Sequence, residues 1–327
     1  MNLRVECCYG KCKDCAAKGI DGNFDEVGLN KIVKYEQWET IQKTYKKGDV
    51  EKTTKAIAKV KKSSAILSLV DEILTVLKTK LGPHLYNITH QYIQMRKLKQ
   101  KLLDDEVVLH IDFVENWATK LSSEVMSKHF RASQIQVTLH NGVAYFAETS
   151  HSSNFSFSTI SDSNRHDAAA VWNYLDPLLQ QLRDAGIRKV YFGSDGPTTQ
   201  HRNRTNFFLI TDRIKQLGFD LVNWNFSEAG HGKGAVDGAE AALKRAADQT
   251  VANGGDLPSA EAMFNSLRKT SSIKLFYVPK DAIVDVHDQL PLKIPGVPGT
   301  MPVHQLIVSS SSDGLLYRNL SMLLLLA

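Results

Sequence analysis

Three aspartates occur where apolar segments end or helices begin, a pattern typical of a divalent-cation site. Asp112 closes the run VVLHI, Asp195 closes KVYFGS, and Asp237 follows DLVNWNF at the start of a helix-forming segment. Ligands of open α/β sheets gather at the carboxyl ends of the strands, so we expect the three carboxylates to meet there. Converging carboxylates repel one another unless a cation lies between them, and Mg²⁺ or Mn²⁺ prefers such oxygen ligands. Two such ions would suit in-line displacement at a phosphodiester.

The third carboxylate is open to alternatives. An aspartate at a strand end is often a turn former or a helix cap, so each of the three is weak evidence by itself. Glu228 and Glu240 lie near Asp237, and either could serve in its place. We choose Asp237 because it opens the helix and the neighbouring Gly238 leaves room for a close approach of metal or phosphate.

The loop GHGKG, residues 230–234, combines glycines with a cation just before a helix. Backbone N–H groups, the helix dipole and Lys233 could together hold a phosphate. The loop is not a Walker A motif, because neither Ser nor Thr follows the lysine. His231 is either a proton carrier or outer-sphere metal contact, or a turn residue. The loop after Asp195 adds polar side chains that could grip a nucleic-acid backbone or read bases: Gln200, His201, Arg202 and Arg204.

All four cysteines lie within the first fifteen residues, in the stretch CCYGKCKDC. The N-terminus has no apolar signal segment, so the chain is expected in the nucleus or cytoplasm, where disulfides are rare. The spacing of Cys12 and Cys15 instead predicts half of a structural Zn²⁺ site, to which Cys7 or Cys8 could add a third thiolate. The fourth ligand is left open between the remaining adjacent cysteine and a distant histidine, and incidental cysteines at a frayed end are the alternative.

The charge is unevenly distributed along the 327 residues. Residues 1–100 carry 19 Lys and Arg against 11 Asp and Glu, whereas residues 101–327 carry 21 against 24. A surplus of this size in a helix-rich region indicates either a solvated surface or a polyanion-binding region. The hydrophobic content of 43% excludes general disorder, and no apolar run is long enough to span a membrane.

The hydrophobic pattern divides the chain into four parts. Residues 1–30 form the Cys-rich module, 31–104 a basic helical region, 105–270 an α/β core, and 271–327 a β-rich extension. Within the core the order β-β-β-α-β-α-β-α predicts a mixed five-stranded sheet flanked by helices, with three antiparallel strands followed by two added through helices. Asn141-Gly142 is expected to form a hairpin turn. Trp117 and Trp224 are expected in the core.

Three segments together resemble a known group: HIDFVENW, FGSDGPTTQHRNR and FSEAGHGKGAVDGAEAALKR. They are similar to transposase-derived animal proteins that have a ribonuclease-H-like DDE/DDD core. The resemblance covers residues 7–320, includes Cys7, Cys12 and Cys15, and is most specific at H-G-K-G-x-x-D-G. It implies a ribonuclease-H-like fold with Asp112, Asp195 and Asp237 as the catalytic triad.

Three functions compete for this sequence. The first is metal-dependent DNA strand cleavage or transfer by a nuclear homo-oligomer. The second is a catalytically inactive nucleic-acid-binding protein derived from a transposase, and the third is a nucleotide hydrolase that uses the GHGKG loop. Members of the group continue beyond the segment HQLIVSSSSDGLLYRNLS with further cysteines, so we expect this chain to be a fragment, a decayed copy or a gene-model artefact.

Overall fold

The computed structural model describes eight stretches of the chain: residues 4–16, 28–48, 50–113, 115–123, 135–147, 154–232, 234–312 and 314–322. The chain divides into two compact units, Met1–Tyr86 and Asn87–Ala327.

The first unit contains short helices and one long β-hairpin. Helices α1 (Val5–Cys8) and α2 (Lys13–Ala16) precede the antiparallel strands β1 (Ile32–Lys47) and β2 (Val50–Ala65). Helix α3 (Ile66–Val76) follows, and a π-helical turn (Leu77–Leu81) leads into α4 (Gly82–Lys99), which extends into the second unit.

The hairpin corrects the prediction of helices throughout residues 31–100, which is wrong for Ile32–Ala65. Between residues 32 and 41 of β1, odd-numbered side chains are half-buried and even-numbered ones exposed, the period of two expected of a strand. Tyr35 and Gln37, on the half-buried face, both donate hydrogen bonds to Glu72 of α3. Gly48 has a φ of 65°, which favours glycine in the tight connection. The many lysines of this segment obscure the strand-like alternation of Thr, Val, Ile and Tyr in the sequence.

The second unit is built on one mixed sheet of nine strands, in the order β11-β10-β8-β7-β3-β5-β6-β9, with β4 paired to β5. Strands β3, β7 and β8 run parallel to one another, as do β6 and β9, and the other pairs are antiparallel. The prediction of a mixed sheet flanked by helices is therefore confirmed. The strands are β3 (Glu106–Phe113), β4 (Trp117–Ala118), β5 (Gln136–Tyr145), β6 (Asn154–Ser161), β7 (Lys189–Ser194), β8 (Leu221–Phe226), β9 (Lys274–Tyr277), β10 (Gln305–Ser309) and β11 (Leu316–Arg318).

Helices cover both faces of this sheet. On one face, α5 (Ala168–Asp184) and α6 (Arg204–Leu217) bury a large apolar core that includes Trp172, Phe192 and Trp224. On the other face, residues of α4 pack on β3, β7 and β10, while α7 (Ala235–Ala252) and α8 (Ala260–Leu267) pack on β5 and β6. Helix α9 (Lys280–Asp288) packs against α5. Among the described residues, no helix is both long and apolar enough to cross a membrane.

Two details of the predicted core need correction. Residues 136–145 form one continuous strand, so Asn141-Gly142 is not a turn, and neither residue has the positive φ that such a turn requires. Gly142 is needed for packing instead, because a Cβ at this position would overlap the Phe157 ring. The five predicted strands are present, but residues 271–327 enlarge the sheet by pairing β9 with β6 and β10 with β8.

Candidate metal centre

Asp112 and Asp195 lie at the carboxyl ends of two neighbouring parallel strands. His110 of β3 and Gly193 of β7 are register partners. Asp112 follows His110 by two residues, and Asp195 follows Gly193 by two residues. Both aspartates are half-buried. The parallel pairing of β3 with β7 therefore brings the two carboxylates to one edge of the sheet, as the strand pattern predicted.

The electrostatics link Asp112 to the other acidic residues. Burial, together with the negative charges of Asp195, Asp237 and Glu240, raises the pKa of Asp112 to about 7. Burial also raises the pKa of Asp195, although the nearby Arg202 guanidinium partly offsets this. Carboxyl groups in this state are stabilised by any cation that lies among them.

One oxygen of Asp195 is buried and lacks a partner. Asp195 Oδ1 makes no hydrogen bond within the described part of the chain. His201 Nε2 lies 3.8 Å away, too far for a hydrogen bond, and burial lowers the pKa of this fully buried histidine to about 3. His201 is therefore neutral and does not balance the charge of Asp195. Burying a carboxylate oxygen without a partner is costly, so the atom is well suited to accept a cation.

Helix α7 supplies the third carboxylate, and two of its residues compete for the role. Asp237 Oδ2 accepts a hydrogen bond of 2.9 Å from the backbone N–H of Gly234, an arrangement that caps the helix. Glu240 forms an ion pair of 2.7 Å with Lys244. Glu228, the remaining alternative, pairs with His304 at 2.7 Å and does not contribute to the pKa of Asp112. The structure thus leaves Asp237 and Glu240 as candidates.

No three His, Cys, Asp or Glu side chains in the described stretches are arranged to hold a metal ion as they stand. The donor set nevertheless suits a hard cation, because it consists of carboxylate oxygens and one of them, Asp195 Oδ1, lacks a partner. A third ligand would come from α7 if Asp237 left its cap or Glu240 left Lys244.

The loop before α7 packs closely against Asp195 and His110. A Cβ at Gly232 would lie 2.8 Å from the Asp195 Cβ, and one at Gly234 would lie 3.0 Å from the His110 ring. His231 is exposed, and its N–H donates to the Glu228 carbonyl. Lys233, predicted to contact phosphate, lies outside the described residues. The glycines therefore allow the loop to approach the strand ends.

Residues 91–321, which include all three predicted aspartates, match the family model described as a domain of unknown function, DUF8701. The chain belongs to the DUF8701 family. No curated protein and no solved structure matches it.

Two residues of the loop after Asp195 have a structural role. This corrects the expectation that His201 and Arg202 contact a nucleic acid. Arg202 is buried and donates hydrogen bonds to the Met301 and Ser227 carbonyls, while His201 is buried against Trp224. Neither side chain is available to grip or read a nucleic acid. Trp117 and Trp224 are buried in the core, as predicted.

The sequence pattern did not predict that Asn141 and Ser158 lie in line with Asp112. Asp112, Asn141 and Ser158 are register partners across β3, β5 and β6, so they form one row on one face of the sheet. Asn141 and Ser158 are buried, and their side-chain polar atoms have no hydrogen-bond partner among the described residues. The Asn-Gly dipeptide predicts a turn at Asn141, and this prediction conceals the side chain's role. In a strand, Asn141 shares a face with Leu139 and Val143, which indicates a polar side chain on a buried face.

The predicted zinc module lies outside the residues that match DUF8701. Lys11 and Cys12 both donate backbone hydrogen bonds to the Glu6 carbonyl, which returns the chain to α1 after Gly10, where φ is 68°. Cys7, Cys8 and Cys12 are thiols rather than disulfides. The side chain of Cys15 lies outside the described residues, and the described cysteines do not form a metal-binding cluster as they stand.

Proposed function

We propose that this DUF8701 protein is a transposase-like, metal-dependent DNA strand cleavage and transfer protein with a ribonuclease-H-like core. The observation that carries the proposal is the position of Asp112 and Asp195 at the carboxyl ends of the neighbouring parallel strands β3 and β7. The charges of Asp195 and Asp237 also contribute to the raised pKa of Asp112. The strand order supports it as well, because three antiparallel strands are followed by two parallel strands added through helices.

The residues take separate roles in this proposal. Asp112 and Asp195 would hold Mg²⁺ or Mn²⁺, and Asp237 would complete the site. Two bound ions would activate the attacking oxygen of water or of a DNA 3′-hydroxyl and stabilise the leaving oxygen. His201 and Gly232 position Asp195 by packing against it. His231 and Lys233 of the GHGKG loop would contact a phosphate of the substrate.

DNA as the partner is supported by the exposed face of the β1–β2 hairpin. Lys34, Lys55, Lys59 and Lys61 lie on that face together with Trp38, which is 65% exposed. A two-stranded ribbon of this kind can enter the major groove, and lysines neutralise backbone phosphates. Nuclear localisation and a homo-oligomeric active form belong to the same proposal.

The second candidate is a catalytically inactive nucleic-acid-binding protein derived from a transposase. It is favoured by the occupation of both α7 carboxylates, since Asp237 caps the helix and Glu240 pairs with Lys244. In this case the hairpin would bind DNA while the carboxylates bind no metal. A structural Zn²⁺ held by Cys7, Cys12 and Cys15 is compatible with either function, and metal analysis of the purified protein and its Cys12→Ser variant tests it.

A nicking assay on supercoiled plasmid with Mg²⁺ or Mn²⁺ decides between the two candidates. We expect the wild type to nick and Asp195→Asn to lose at least about 100-fold in rate, as removal of a metal ligand should. Asp237→Asn should lose comparable activity while keeping an oxygen to cap Gly234, whereas Glu240→Gln should have a mild effect. The reverse pattern would assign the role to Glu240. A wild type that does not nick, yet binds DNA, would favour the inactive candidate.

A further inference from the structure

A pocket of about 370 Å³ lies between α4 and the sheet, directly beside the carboxylates. Its floor is a row of register partners from three parallel strands: His110 of β3, Gly193 of β7 and Asn225 of β8. Asp112 and Asp195 follow His110 and Gly193 by two residues, which is about 7 Å along the strands. The pocket floor therefore lies two residues along the strands from the proposed metal site.

The wall of the pocket is one side of α4. Ile88, Tyr92, Met95 and Lys99 recur at helical spacing and all line it. Gly193 leaves space in the pocket, because a Cβ at this position would lie 2.8 Å from the Met95 methyl group. A second cavity of about 360 Å³ is lined by Tyr92, Met95 and Lys99 as well, and it continues along α4 to Arg96 and Phe146.

The pocket contains a cation, Lys99, that pairs with no acidic side chain of the described residues. Lys99 Nζ lies 3.5 Å from the centre of the Tyr145 ring. Burial lowers the pKa of Lys99 to about 8, and no described carboxylate offsets this burial. Glu228 lies at the rim but pairs with His304. A half-buried cation that no described carboxylate neutralises is stabilised by an anionic ligand.

The remaining lining suits a flat heterocycle. Tyr92 is 71% exposed at the rim, where its ring can stack on a base. Met95, Ile88 and Phe226 supply apolar surface, and the pocket volume lies within the usual range for small ligands. Cationic, aromatic and apolar groups are thus combined next to a candidate phosphodiester site.

We infer that this pocket binds one nucleotide of the substrate strand next to the phosphodiester that is cut, with its base against Tyr92 and its phosphate at Lys99. The inference rests on the proposed function, since it places the strand by the carboxylates. It identifies a single-stranded segment as the ligand, because a paired base cannot enter a pocket between a helix and a sheet.

Binding of fluorescent single-stranded DNA without divalent metal tests the inference. One oligonucleotide has all its bases, and its partner carries abasic residues at three central positions. The wild type should prefer the complete strand about five- to tenfold, and Tyr92→Ala should remove that preference while leaving abasic binding unchanged. Lys99→Met should weaken binding of both strands. Tyr317→Ala and Lys97→Met, which alter exposed residues of the same types outside the pocket, should change neither.

The outcomes separate this inference from the proposed function. No preference for bases in a protein that nicks DNA would overturn the pocket and leave the function standing. A preference that depends on Tyr92 in a protein that does not nick would support the pocket and contradict the enzyme. Free deoxynucleoside monophosphates that bind as tightly as the strand would overturn the strand assignment in favour of a mononucleotide site.

Discussion

The two faces of the large sheet differ in how fully they are closed. Under α5 and α6 the sheet forms a continuous apolar core around Trp172, Phe192 and Trp224. Under α4 and α7 the opposite face carries His110, Asp112 and the polar row that leads to Ser158, and it encloses a pocket. The face under α5 and α6, the closed face, provides stability. The face under α4 and α7, the open face, retains buried polar groups, and a bound ligand would offset the free-energy cost of burying them.

The hairpin of the first unit shows the same contrast on a smaller scale. One face lies against α3, where Tyr35 and Gln37 bond to Glu72. The other face is exposed and carries lysines beside Trp38 and Ile57. In both units the groups available for binding therefore lie on the face that helices cover less completely.

The largest expected effect is on the closed face. Phe192→Ala should lower the free energy of unfolding by about 3–5 kcal/mol, because it leaves a cavity beneath α5. Met95→Ala on the open face should cost under about 2 kcal/mol, since Met95 is half-buried beside a pocket. Denaturant titration compares the two variants, and equal losses would contradict the distinction between the faces.

The exposed face of the hairpin should carry most of the non-specific DNA affinity. Replacing Lys55, Lys59 and Lys61 by glutamine should weaken binding at least about tenfold at low salt and reduce the slope of log affinity against log salt by up to about three. Fluorescence anisotropy at several salt concentrations measures both quantities. The matched control replaces the exposed Lys269, Lys280 and Lys293 of the second unit; an equal loss there would mean that net charge alone is responsible.

The stability of the metal-free protein should depend on pH through Asp112. Its folded-state pKa of about 7 lies above the ordinary value of 3.8, so the folded protein binds the proton more tightly than the unfolded chain. Stability from this group is therefore present below about pH 4 and is lost as the pH rises to 7. Asp112→Asn should stabilise the protein by about 1 kcal/mol more at pH 8 than at pH 4, a figure reduced because the carboxyl group is partly exposed.

Thermal denaturation of Asp112→Asn with metal chelated checks this prediction. Asp184→Asn alters an exposed aspartate and serves as the control. A stabilisation that is the same at both pH values would mean that folding does not raise the pKa of Asp112.

The smallest effect is expected for the polar row of the open face. Asn141→Leu should change stability by less than about 1 kcal/mol, because the buried amide has no hydrogen-bond partner among the described residues that the change would remove. Asn206, in contrast, accepts from Trp172 Nε1 and donates to the His201 carbonyl. Asn206→Leu should therefore cost about 2–3 kcal/mol, and equal losses in the two variants would show that Asn141 is satisfied.

The sequence predicted the central strands well because their apolar runs are fully buried and end in aspartates. It failed for the hairpin, where lysines on the exposed face concealed a period of two. It also failed at Asn141-Gly142, since a dipeptide that favours a turn is overridden when Phe157 packs over the glycine. Local patterns could not reveal the pocket or the partner of Glu228, because both depend on residues far apart in the chain.

Binding of Mn²⁺, measured by the loss of the free-ion electron paramagnetic resonance signal, is the direct test of the proposed metal site. We expect saturable binding by the wild type and at least about tenfold weaker binding by Asp112→Asn, Asp195→Asn and Asp237→Asn, with no change in Asp184→Asn. Saturable binding that is equal in all five proteins, or no binding by the wild type, would contradict a metal site on the open face.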